Sequence, residues 1–261
     1  MNKDAVNGDA LPSRPLSIAL MIESVYLGGA EMVVYQLAKA LRSRGHAVHP
    51  VVPNNREGWL IESLRADGFE VHRYDLRRPI DPGFPARLAT LLDSLNVDVV
   101  HSHEFVMSVY GTAAARRVGV PHVITMHGNQ GTTDKLQRRL ALRWAVQRSQ
   151  ATVAVSKDTR LHFESTLGVP EGSIQVIPNG MPERSGDRIR LRAELGVQPS
   201  EVLLLSVGNL SPRKAHHVLV SALTQLHARE PELRWRLAIC GDGPERPRLE
   251  AAIKAGGLEK R

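Results

Sequence analysis

A single cysteine, Cys240, is all the thiol chemistry in this 261-residue chain. That excludes an internal disulfide and points to a reducing compartment, and Cys240, at the end of an apolar run from Trp235, reads as a small core residue. The chain also has no stretch of the roughly 18 apolar residues that a membrane span requires. Its longest early apolar run, residues 16–22, follows a polar head containing Pro12 and Pro15, which is unlike a secretory signal. A cytoplasmic protein is expected, with peripheral contact to the inner face of a membrane as an option. Two further chemistries lack their residues. No cysteine or carboxylate pattern completes a zinc site around the histidines. Gly241 and Gly243 are followed by Arg246 where a dinucleotide fingerprint needs a small residue, which argues against an NAD-dependent oxidoreductase.

What is present is a foldable, basic chain. An apolar content of 42% supports hydrophobic cores, and the length suits two modest α/β domains or one large one. Lys and Arg outnumber Asp and Glu by 34 to 27, a net charge of +7 that suits phosphates, nucleic acid or an anionic membrane surface. Charge alone does not choose among these, and a plain solvated surface explains it equally well.

Residues 1–14 lack periodicity and read as a flexible tail. Beyond it, short apolar runs at residues 16–22, 47–52, 69–74, 97–101, 122–126 and 151–155 read as strands. Amphipathic stretches lie between them. Residues 30–44 place Val33, Val34, Leu37, Ala38 and Leu41 on one face, as a strand-covering helix does. Strands apolar almost throughout, alternating with such helices, imply a parallel sheet covered on both faces, a doubly wound Rossmann-like domain spanning residues 15–182. A second series follows over residues 183–261, with strands at 202–207 and 235–240 and helices at 213–229 and 245–255. Two strands and two helices do not close a parallel α/β core, so this second Rossmann-like domain reads as incomplete.

Ligands of open α/β sheets bind at the carboxyl ends of the strands. After the first strand stand Gly28, Gly29 and Glu31, where glycines allow close backbone approach and a helix N-terminus favours an anion. His101 and His103 follow the fourth strand, and His127 and Gly128 the fifth. Histidines gathered on one rim can bond sugar hydroxyls or phosphate oxygens. Ser156 reads as a helix N-cap. In the second series Gly208, Asn209, Arg213 and Lys214 form a loop suited to a diphosphate, and Gly241, Gly243 and Glu245 repeat the arrangement one strand later.

Taken in order, Gly28-Gly29-Ala30-Glu31, His101-Ser102-His103, His127-Gly128, Val155-Ser156, Pro178-Asn179-Gly180, the Gly208 to Lys214 loop and Gly241-Asp242-Gly243-Pro244-Glu245 resemble glycosyltransferase family 4 over about residues 15 to 261. The resemblance implies the GT-B architecture, an α/β fold of two Rossmann-like domains with the first mostly holding the acceptor and the second the nucleotide-sugar donor. It implies transfer with retention and no metal cofactor, the nucleotide-sugar being a substrate. It implies that Gly28 and Gly29 lie against the donor phosphates together with Asn209, Arg213 and Lys214, and that His127 hydrogen-bonds the transferred sugar as the catalytic residue. Glu31, His101, His103, Gly128, Gly241, Gly243 and Glu245 are expected to contact donor or acceptor.

This sequence departs from the family pattern at Asn209, where Arg is common, and at Ala215, where Gly follows the lysine; both changes are expected to matter little. The family's paired glutamates, eight residues apart, have no counterpart in context. Glu23 with Glu31 and Glu62 with Glu70 match the bare spacing and read as coincidences. Expected partners are a nucleotide-sugar donor, a glycan, lipid or small-molecule acceptor and an optional anionic membrane surface, with no nucleic acid. Acceptor selection is expected from loops 53–58 and 128–135. Rival readings are a non-catalytic acceptor- or membrane-binding remnant, and a nucleotide-sugar epimerase of the same fold.

Overall fold

The computed structural model describes residues 14–128, 133–183 and 185–261. The chain divides into two compact units, one ending at Pro182 and one running from Glu183 to Arg261. Of the expected tail, only Arg14 lies within the described residues, and there it pairs with Asp98 at 2.5 Å.

The first unit is a seven-stranded, wholly parallel sheet of strands β1 (Ser17–Met21), β2 (Ala47–Pro53), β3 (His72–Tyr74), β4 (Val99–His103), β5 (His122–Met126), β6 (Ala151–Ala154) and β7 (Gln175–Val176), in the order β3-β2-β1-β4-β5-β6-β7. Alternation along β1 sends Ile18 and Leu20 to one face and Ala19 and Met21 to the other, and all four are buried, as a strand covered on both sides requires. The first face packs on α1 (Gly29–Ser43) and α2 (Trp59–Ala66) through Val34, Ala38, Leu60, Ile61 and Leu64. The second face carries α3 (Phe84–Ser94) and α4 (Phe105–Val118) through Phe84, Leu88, Leu92, Met107 and Ala114. Further along, α5 (Leu136–Arg148) and α6 (Lys157–Leu167) bury Leu142, Ala145 and Phe163 beside β5 and β6. The chain winds outward from β1 in one direction and from β4 in the other, so the sheet order reverses between these two strands.

The second unit contains α7 (Arg188–Glu194), the parallel pair β8 (Val202–Val207) and β9 (Trp235–Cys240), α8 (His216–Arg229) and α9 (Arg246–Ala255). Leu210, Val220, Leu223, Trp235, Leu249 and Leu258 form its core, while Val202, Leu205 and Val207 of β8 stay exposed. Cys240 is exposed rather than buried, because it ends β9 on this sparsely covered two-stranded sheet. The single helix expected over residues 213–229 is two pieces. A short 3-10 turn, Pro212–Lys214, stops at Ala215, whose φ of 53° is left-handed, and α8 begins after it. Ala215 therefore carries a backbone cost of about 1–2 kcal/mol that glycine would avoid, a larger consequence than a methyl group near a ligand.

Where α4 crosses the sheet, Gly111 is its contact point. A Cβ there would lie 2.4 Å from Ser102 Oγ and 2.5 Å from Met21 Cε. Ser102 Oγ is also tied to His122 Nε2 at 2.7 Å, so it cannot turn away without losing that bond. Gly111→Ala is expected to destabilise the protein by about 1–3 kcal/mol in urea denaturation, overpacking outweighing the roughly 1 kcal/mol of helix propensity gained.

Candidate functional site

A parallel sheet opens a crevice where its strand order reverses, here at the carboxyl ends of β1 and β4. Glu23 follows β1 and Glu104 follows β4. Each carboxylate is directed at the other's loop: that of Glu23 faces the backbone N–H groups of Phe105 and Val106 at the start of α4, and that of Glu104 faces those of Glu23 and Ser24. Burial pushes Glu104 up to about 7, with the neighbouring charges of Glu23 and Glu31 adding to the rise and the N–H groups opposing it. Glu23 is also raised, first by burial. Glu104 has φ 68° and ψ 176°, a backbone conformation close to glycine-only territory, and its Oε2 is buried without a partner.

A cavity of about 540 Å³ spreads from these carboxylates along the rim. Ser24 after β1, Asn54, Asn55 and Arg56 after β2, and Arg77 and Arg78 after β3 line it with Glu23 and Glu104. Arg77 pairs with Asp75 at 2.8 Å, whereas neither Arg56 nor Arg78 has a carboxylate within ion-pair distance among the described residues. The loop 53–58 thus supplies Pro53 to Arg56 to this cavity, while residues 129–132 of the other expected loop lie outside the described residues.

A smaller void of about 40 Å³ joins Glu23 and Glu104 to His127, Phe105, Met126 and Phe163. His127 Nε2 is 2.8 Å from His103 Nδ1, with the rings stacked at 21° and centroids 5.1 Å apart. His101 completes a column, 4.4 Å from His103 by centroid and bonded through Nε2 to Thr125 Oγ1 at 2.8 Å. Burial pushes His101 and His127 down to about 4 and His103 well below its usual range, so the column is neutral at physiological pH. His101 and His103 do not follow the fourth strand as expected; they lie within β4, facing the α1 side, because β4 extends to His103. Glu104 is therefore the residue at its carboxyl end. Gly128 follows His127 with φ 82°.

The remaining expected residues fall into two places. Gly28 is the extended residue before α1, and the carboxylate of buried Glu31 folds over it: a Cβ on Gly28 would be 2.5 Å from Glu31 Oε2. Gly29 has open space beside it. In the second unit Asn209, Arg213 and Lys214 are exposed, and neither cation has a carboxylate within ion-pair distance among the described residues. Gly241 and Gly243 serve packing: a Cβ on Gly241 would sit 2.0 Å from Gly208 O, and one on Gly243 2.5 Å from Leu210 O. Their absence of side chains is what lets the two rim loops touch. Glu245 pairs with Arg248 at 3.3 Å. Ser156 caps α6, its Oγ accepting from Thr159 N at 3.0 Å.

Among the described residues, no helix is long and apolar enough to cross a membrane, and no group of three or more His, Cys, Asp or Glu is placed to hold a metal ion. Sequence reasoning missed Glu23, Glu104, Arg56 and Arg78. Glu23 and Glu104 each stand one or two residues beyond a strand, a signal obscured for Glu104 by ending β4 at His101.

Residues 27–184 match the family profile described as Glycosyltransferase Family 4, and residues 187–261 match Glycosyl transferases group 1. The chain is 30% identical over 267 aligned positions to D-inositol 3-phosphate glycosyltransferase of Frankia alni, covering 87% of this chain and 63% of that protein. It is 25% identical over 248 positions to N-acetyl-alpha-D-glucosaminyl L-malate synthase of Bacillus anthracis, covering 90% and 64%. Among solved structures, Anabaena HepE in complex with UDP and glucose aligns with a TM-score of 0.76 at 22% identity, over 94% of this chain and 68% of that one. The chain spans about three fifths of the length of these curated relatives.

The folded-state pKa of Glu104 lies above its ordinary 4.5, so its burial penalises folding increasingly as pH rises from about 4.5 to about 7 and by a constant amount above that. Glu104→Gln, which keeps the shape and cannot ionise, is expected to gain stability over the parent between pH 5 and pH 8, by up to about 3 kcal/mol. Urea melts at the two pH values check this; a difference that does not change with pH would show that Glu104 titrates normally.

Proposed function

The chain belongs to glycosyltransferase family 4, and from that premise we propose that it transfers a sugar, with retention, from a uridine-linked donor to a hydroxyl of a small anionic polyol or hydroxy acid. The observation that carries this reading is the rim cavity itself, floored by Glu23 and Glu104, edged by Arg56 and Arg78, neither paired with a carboxylate among the described residues, and adjoined by His127. Arginines without carboxylate partners suit a phosphate or carboxylate on the acceptor. The amide of Asn55 and the half-protonated carboxyl of Glu104 suit its hydroxyls. The relatives named for D-inositol 3-phosphate and L-malate act on acceptors of this class, and the Anabaena neighbour holds UDP and glucose.

The donor half of the chemistry follows from charge. Breaking a glycosyl–phosphate bond builds negative charge on the diphosphate, which preorganised cations stabilise best. In this reading Arg213 and Lys214 meet that charge, His127 holds a hydroxyl of the transferred sugar, and no metal ion is needed, so transfer persists in EDTA.

Calorimetric titration with UDP, UDP-glucose and GDP-mannose tests the reading directly. Uridine nucleotides are expected to bind, and Lys214→Ala to weaken them about ten- to a hundredfold, the loss of one charge-assisted contact. Transfer is then assayed with inositol phosphate, malate and uncharged inositol, the product's anomeric configuration being read by proton NMR. No nucleotide binding at millimolar concentration would sink the proposal, and equal use of the uncharged acceptor would remove its anionic part.

A further inference from the structure

The His103 ring is fully buried in β4 and does not reach the carboxylate cavity, yet it holds the histidine that does. Its Nδ1 meets His127 Nε2 at 2.8 Å. Its Nε2 has no partner, and neither does Nδ1 of His127. On its other side His103 lines a separate groove of about 520 Å³, whose walls include Val33, Leu37, Val123 and Val153.

Two neutral imidazoles in contact through one nitrogen each share a single proton between those atoms, so their tautomers are locked together. If His127 donates through Nε2, its Nδ1 is bare and His103 carries its proton at Nε2, a buried atom without an acceptor. If His103 donates through Nδ1, the proton on His127 moves to Nδ1 and His103 Nε2 is bare. The surroundings favour the second arrangement. Glu23 and Glu104 line the His127 cavity, so carboxylate oxygens are available as acceptors on that side, whereas among the described residues no carboxylate lines the groove beside His103. At His103 Nε2, a buried N–H without an acceptor is the rarer and costlier orphan.

We propose that His103 is a positioning residue that donates from Nδ1 to His127 Nε2 and thereby presents His127 to its cavity as an Nδ1–H donor. That is the tautomer an isolated histidine side chain disfavours in water, so it has to be imposed. It suits His127 for donating to an oxygen of a sugar or phosphate. The importance of this tautomer for transfer rests on the function proposed above; its existence does not.

The test is a two-bond ¹H–¹⁵N correlation spectrum of the whole chain with ring-labelled histidine, the His127 signals being assigned through His127→Asn. In the unsubstituted protein His127 is expected to be protonated at Nδ1. His103→Leu, which removes the donor, is expected to move that proton to Nε2 and exchange the two nitrogen shifts. His103→Asn, whose side-chain amide N–H lies near the original Nδ1, is expected to keep it at Nδ1. An Nε2–H form of His127 in the unsubstituted protein overturns the proposal, as does an Nδ1–H form persisting in folded His103→Leu. Should the leucine variant not fold, the parent and asparagine spectra decide. These spectra use no nucleotide or acceptor, so a failed tautomer leaves the transferase reading standing, and failed nucleotide binding leaves the tautomer standing.

Discussion

The reversal of strand order between β1 and β4 separates two neighbouring parallel strands whose following loops must leave in opposite directions. Left alone, the backbone N–H groups at the start of α4 and after β1 would face an open gap without acceptors. Glu23 and Glu104 close it by reaching across, each carboxylate meeting N–H groups on the other's loop. This cross-brace fixes the distance between the two loops, and with it the floor of the large cavity and the wall that adjoins His127.

The brace is not free. A backbone at φ 68°, ψ 176° costs a non-glycine residue about 1–3 kcal/mol, and burying a carboxyl group that still has one unpartnered oxygen adds to it. Glycine at position 104 would relieve the backbone and lose the carboxyl. A glutamate in so costly a conformation, with its affinity for a proton raised into the neutral range, is a candidate functional group as well as a brace.

Most of the architecture could be read from the chain because parallel strands buried on both faces leave continuous apolar runs, and the helices between them carry one apolar stripe. The readings that failed did so for local reasons. β4 carries His101 and His103 in its last turn of pleat, polar residues that look like the start of a loop, so the sequence pattern ends the strand early and hides Glu104. The two-residue β7 is too short to have a period. Glu23 and Glu31 share no family context, and only the fold brings both charges to bear on Glu104. The family pattern's glycine marks the position of Ala215, but its left-handed φ shows only in the fold, as a break between the 3-10 turn and α8. At Gly241 and Gly243 the fold adds a packing requirement, contact between two loops, that appears only when the chain is folded.

The electrostatics of the two units differ in a way that bears on the proposed reaction. Around His127, burial removes charge: the histidine column is neutral and Glu104 is pushed up to about 7, while Arg56 and Arg78 keep theirs at the edge of the larger cavity. Such groups recognise hydroxyls by hydrogen bonding and lose little when water leaves, because few full charges must be stripped of solvent. On the second unit, Arg213 and Lys214 remain exposed and unpaired on a loop held by the tight contact of Gly208 with Gly241. Exposed cations keep their charge and hydration until an anion replaces the water. The demand in glycosyl transfer is asymmetric in the same sense, since the sugar's hydroxyls are neutral throughout while the leaving diphosphate gains charge as the bond breaks. In the proposed reaction the neutral histidines would meet sugar hydroxyls, and the exposed Arg213 and Lys214 would meet the charge that grows on the diphosphate.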